Sequence, residues 1–79
     1  MEQFRNKALY IESESMLEEI LNLTTEDFQY CASLMHLDSD KSKRYLMYDF
    51  DFGLGFFQYI KEDGYEEITF EEFKQLFKL

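Results

Sequence analysis

The spacing of apolar residues changes once along this chain, near Tyr45, and that switch limits the fold more than any other feature. Before it, apolar side chains recur at intervals of three and four, the period of a helix with one buried stripe. After it, Leu46, Tyr48, Phe50 and Phe52 alternate with Tyr45, Met47, Asp49 and Asp51, the period of a strand with two unlike faces. A helical part followed by an extended part belongs to the α+β class. The order expected is N-terminal helices, then a three-stranded antiparallel meander, then a C-terminal helix, in one domain over residues 1–79.

Local signals fill in this outline. Met1, Phe4, Ala8 and Ile11 fall at helical spacing, although Leu9-Tyr10-Ile11 also reads as a short strand; the helix is the expectation. Ser15 with Glu18 has the form of a capping box, in which hydroxyl and carboxylate each satisfy an orphan backbone donor. The helix that follows buries Leu17, Ile20 and Leu21 and ends near Leu23. Thr24 with Asp27 repeats the signal. The next helix carries Phe28, Cys31, Ala32 and Met35 on one stripe and Tyr30, Leu34 and Leu37 on an adjoining one, before a polar loop over 38–43.

In the second half, Gly53-Leu54-Gly55 interrupts the alternation. A strand over 56–62 then runs into Asp63-Gly64, the pair that a two-residue type I′ hairpin prefers, and a third strand returns over 65–69. That register sets Lys61 opposite Glu66, Tyr59 opposite Ile68 and Phe57 opposite Phe70. Thr69 and Glu72 make a further capping box, opening a helix with Phe70, Phe73 and Phe77 on one stripe and Leu76 beside it. Nine Phe and six Tyr are more rings than one face of one small sheet takes up. A sheet face left for a partner or a second copy is therefore an expectation beside ordinary core packing.

Charge narrows the function. The formal charge is -9, and between Ala8 and Asp40 there are eight carboxylates and no Lys or Arg. From Lys41 onward eight acids meet six bases. Such a surface repels phosphate backbones and attracts basic protein surfaces, including those that hold nucleic acid. The function expected is a small, acidic, non-enzymatic protein-interaction module, an inhibitor or regulator docking on a basic patch of a nucleic-acid-handling partner. Glu14, Glu18, Glu19, Glu26 and Asp27 are the candidate contacts. A self-associating structural or regulatory protein is the first alternative, and a weak divalent-metal-binding protein the second.

Catalytic and cofactor motifs find little support. Glu62-Asp63-Gly64 followed by Ile68 looks like the exit half of a calcium loop, but the ligand positions fall on Tyr59 and Lys61, which offer no carboxylate. Asp38, Asp40 and Asp49 are spaced for a weak cation site, yet Lys43 stands where the loop's glycine belongs. Asp49 and Asp51 share one strand face with no third ligand predicted beside them, and Cys31 and His36 fall on different sides of a helix. No catalytic residue, metal site or cofactor is expected. One Cys suits a reducing compartment, and no stretch approaches the roughly 18 apolar residues of a membrane span. The opening residues lack a signal peptide's apolar run, so the expectation is a cytoplasmic protein with no membrane contact. Abundant Phe, Tyr, Lys, Ile and Asn, encoded by AT-rich codons, point to a low-GC bacterium or its phage.

Overall fold

The computed structural model describes residues 2–32, 36–37, 39–49 and 53–77. Four strands, β1 (Lys7–Tyr10), β2 (Tyr45–Asp49), β3 (Gly53–Phe57) and β4 (Glu66–Ile68), form one sheet in the order β3-β2-β1-β4. β2 runs antiparallel to both β1 and β3, while β4 lies parallel to β1. The helices are α1 (Glu14–Leu23) and α2 (Glu26–Ala32), between β1 and β2, and α3 (Phe70–Leu76), after β4. The class is α+β as expected. The sheet is a four-stranded mixed one and not a three-stranded meander.

The register explains the core. Phe56, Leu46, Leu9 and Ile68 stand side by side across all four strands, and this row faces the helices. Leu17 and Ile20 of α1, Phe28 of α2 and Phe73 of α3 close over it. Phe4, from a 3-10 turn over Glu2–Phe4, joins them. Its ring meets Phe28 at 6.1 Å and Phe73 at 5.6 Å, and Phe28 and Phe73 lie 5.7 Å apart, all edge-on. Edge-to-face pairs of this kind add about 0.5–1.5 kcal/mol each beyond the area they bury.

The opening segment is thus a strand and not the expected helix. Leu9 contacts the helical layer, while Ala8 is buried on the other face, so β1 is covered on both sides as an inner strand is. Burial of the consecutive residues Ala8 and Leu9 on opposite faces erases the alternation that would have marked it. Asn6, at φ 62°, turns the chain between the 3-10 turn and β1, a conformation that Asn tolerates better than most residues.

The meander fails at Asp63-Gly64. These residues end a 3-10 turn over Lys61–Asp63, with Gly64 in the left-handed region at φ 86°. A type I′ hairpin and a glycine-capped turn both need a positive φ there, so the dipeptide cannot separate them. The chain instead crosses from β3 at one edge of the sheet to β4 at the other. The pairings of Lys61 with Glu66, Tyr59 with Ile68 and Phe57 with Phe70 are replaced: Glu66 lies beside Lys7, which reaches its carboxylate at 2.9 Å, and Phe57 lies beside Tyr45. Gly53, Leu54 and Gly55 belong to β3 itself and do not interrupt it.

Helix boundaries follow the capping chemistry, with shifts. α1 ends at Leu23 as expected, but Ser13 caps its start, accepting from the Met16 amide at 3.2 Å; Ser15 lies inside the helix. The Thr24 hydroxyl donates back to the Ile20 carbonyl at 2.8 Å, so it closes α1 and does not open α2. α2 starts after Thr25, whose carbonyl accepts from Gln29. The Thr69–Glu72 capping box is present in full.

Two measurements check this packing. Phe73→Ala should cost about 3–5 kcal/mol in urea unfolding, against about 1 kcal/mol for Thr69→Ala. Reversing Lys7 to Glu should lower stability by about 0.2–1 kcal/mol, because it faces Glu66 across the parallel pair, whereas Lys61→Glu should change it little.

Candidate functional site

α1 turns Leu17 and Ile20 into the core with Met16 and Leu21 beside them, and this fixes what its outer side presents. Glu14, Glu18 and Glu19 are all exposed there. Glu14 and Glu18 are one helical turn apart, a like-charge spacing that costs an isolated helix about 0.2–0.5 kcal/mol. Glu26, the first residue of α2, is exposed as well, and Glu12 and the α1 cap lie just upstream. Asp27 belongs to α2, but its side chain lies outside the described residues. The last turn of neither helix carries a base that would offset these acids. Among the described residues, the ion pairs Lys7–Glu66 and Lys74–Glu71 lie elsewhere. Four of the five sequence-derived contact candidates therefore sit exposed on the helical layer.

The Arg44 guanidinium donates to the Glu12 backbone carbonyl at 3.3 Å and so ties the start of β2 to the entry of α1. Lys41 and Lys43 are exposed in a 3-10 turn just before it. The chain thus carries its basic knot at the border of the acidic surface and not within it.

The other face of the sheet carries a tyrosine cluster. Alternation puts Ala8, Tyr10, Tyr45, Met47, Gly55 and Phe57 there. Tyr10 meets Tyr45 edge-on at 5.1 Å, and Tyr59, from the segment that crosses between β3 and β4, lies 5.2 Å from Tyr45. The Tyr59 hydroxyl donates to the Tyr65 carbonyl at 3.0 Å, pinning both ends of that crossing. Ala8 and Met47 are 0% and 4% exposed, so this face has an apolar layer of its own. The expected bare aromatic face is therefore largely occupied by the chain itself. Burial among these rings raises the Tyr45 phenol above its usual range, and its hydrogen bond to Glu67 adds to the effect. The parity of Tyr45 against Leu46 was the available signal; the partner from the crossing segment left none.

An open groove of about 310 Å³ lies between Leu9, Met16, Ile68 and Phe70. Its polar lining is Tyr10, Glu12 and Thr69, and the Thr69 hydroxyl already accepts from the Glu72 amide. The groove is an apolar hollow in which one carboxylate stands alone.

The candidate cation loop is otherwise engaged. The Asp40 carboxylate accepts from the Ser42 hydroxyl at 2.7 Å and the Ser42 amide at 3.0 Å, and these bonds hold it below the usual carboxylate range. Asp49 stands on the sheet, while Asp38 and Asp51 lie outside the described residues. Among the described residues, no three of His, Cys, Asp and Glu converge on a common point. His36 is exposed, and the side chain of Cys31 lies outside the described residues. Tyr30, expected on an apolar stripe, is 71% exposed, while the side chains of Ala32, Leu34 and Met35, expected on the same helix, lie outside the described residues. Among the described residues, no helix is long and apolar enough to cross a membrane.

Comparison with protein-family models, curated proteins and solved structures finds no match to this chain.

The raised Tyr45 phenol has a consequence for stability. Below pH 10 the phenol is protonated in both the folded and the unfolded chain. Above it the unfolded chain releases this proton first, so stability falls as pH rises toward the folded-state value. Chemical denaturation across the alkaline range should show that loss, and Tyr45→Phe should remove part of it.

Proposed function

We propose that this chain is a protein-binding module without catalytic activity of its own, docking through α1 and the start of α2 on a basic surface of a partner that handles nucleic acid. One observation carries the reading: Glu14, Glu18, Glu19 and Glu26 all point to solvent on a helical layer drawn from a stretch with no Lys or Arg. Folding accounts for carboxylates facing water but not for the lack of any base among them, since the core is built from the opposite side of α1 and the like-charged neighbours oppose one another.

A rigid acidic face would act in two ways. It would steer a cationic partner during approach, which raises the association rate and makes it fall with added salt. It would also occupy the surface on which that partner places phosphates, so an inhibitor or regulator is the role that fits. A direct nucleic-acid contact is disfavoured by the same charge.

The test compares the intact chain with a Glu18→Lys, Glu19→Lys double variant as baits in an extract of the native host. The intact chain should retain a basic protein that heparin or salt releases, and the double variant should retain at least roughly tenfold less of it. Equal retention by both baits overturns the proposal. Far-UV circular dichroism should be the same for both, since the two positions are exposed.

Self-association, the alternative reading, gains little from the sheet face, where Tyr59 and the crossing segment already lie. Its support is at the sheet's edge.

A further inference from the structure

We infer that the outer edge of β3 is a self-pairing surface, at which two copies of this chain join antiparallel about a two-fold axis near Gly55 and merge their sheets into one of eight strands. β3 and β4 are the terminal strands, and each leaves one row of backbone donors and acceptors without a strand beside it among the described residues.

The two edges are built differently. β4 has three residues, of which Glu66 and Glu67 are exposed and charged, and short charged edges resist pairing. β3 has five residues, Gly53-Leu54-Gly55-Phe56-Phe57, with no charge and no proline. The uncharged run continues through Gln58, Tyr59 and Ile60, and Ile60 is 46% exposed, in a chain of which 32% of residues are charged. Among the described residues, β3 carries neither a charged side chain nor a proline, two of the usual means of blunting an edge.

The sequence of β3 is also complementary to its own reverse. With Gly55 on the axis, each Leu54 faces the second copy's Phe56, and each Gly53 faces its Phe57. The first pair lies on the helix side, where Leu54 and Phe56 already border the core, and so extends the apolar row across the junction. The second sets a residue without a side chain beside an aromatic ring, an arrangement in which the ring covers the exposed backbone of glycine. The Phe57 ring already folds back over Gly55, where an added Cβ would lie 3.2 Å from it.

Charge selects the occupant. Two chains of formal charge -9 repel, so contact costs least where neither brings a carboxylate. The five residues of β3 carry none, whereas a cationic partner is drawn to α1. The two contacts therefore respond to salt with opposite sign: screening strengthens the pairing of like-charged copies and weakens the docking of a basic partner.

Sedimentation velocity on the full chain across the micromolar range, at low and high salt, provides the test. The expected result is a monomer–dimer equilibrium that tightens with salt. Leu54→Lys and, separately, Phe57→Lys should each weaken it by roughly tenfold or more, because the two-fold places the new charge in the contact twice. The Glu18→Lys, Glu19→Lys variant should still dimerise, so this inference and the proposed docking fail independently. A single monomeric species under all conditions overturns it, as does a dimer indifferent to both edge variants. Should those variants not fold, hydrogen exchange of the unaltered chain at low and high concentration decides. Protection gained at residues 53–57 upholds the inference, and protection gained at another element overturns it.

Discussion

Three phenylalanines far apart in sequence meet edge-on in the core, and the remaining elements are arranged around that meeting. Phe4 comes from the opening turn, Phe28 from α2 and Phe73 from α3. Each belongs to a segment too short to be stable alone: a three-residue turn and two helices of seven residues. Their stability comes from tertiary burial and not from propensity. The sheet serves as the floor of this cluster, which is why Leu9, Leu46 and Ile68 line up under it across three strands.

That dependence explains which parts of the fold were legible in the sequence. Features settled within four or five residues were readable: the end of α1 at Leu23, the Thr69–Glu72 cap, the Phe73 stripe and the extended run from Tyr45. Features settled by distant partners were not. Leu9-Tyr10-Ile11 is ambiguous by itself and becomes a strand because β2 and β4 arrive on either side. Asp63-Gly64 supplies a left-handed residue, and only the pairing of Glu66 with Lys7 determines what that residue is used for. Ser13 and Ser15 compete for one cap, and the burial of Leu17 and Ile20 fits a helix that starts at Glu14.

The proposed site was more legible than the fold, because it depends on charge placement and not on pairing. A stretch with eight acids and no bases needs only one buried stripe to turn most of its carboxylates outward. The aromatic surplus was harder to place. Among the described residues, Phe4, Phe28 and Phe73 gather on the helix side with Tyr48 against the core, and Tyr10, Tyr45 and Tyr59 gather on the other with Phe57 beside them; Tyr45 and Tyr59 both use their hydroxyls in hydrogen bonds near the crossing segment.

The position of β1 also bears on how the chain is made. It leaves a ribosome before both of its neighbours and lies in the interior of the sheet, with β2 starting at Tyr45 and β4 at Glu66. Until those neighbours emerge its backbone has neither of them, and the two faces that end up buried are open to solvent or to chaperones. Completion of the sheet waits until Ile68 has cleared the exit tunnel, so its assembly is governed by the closure of long loops.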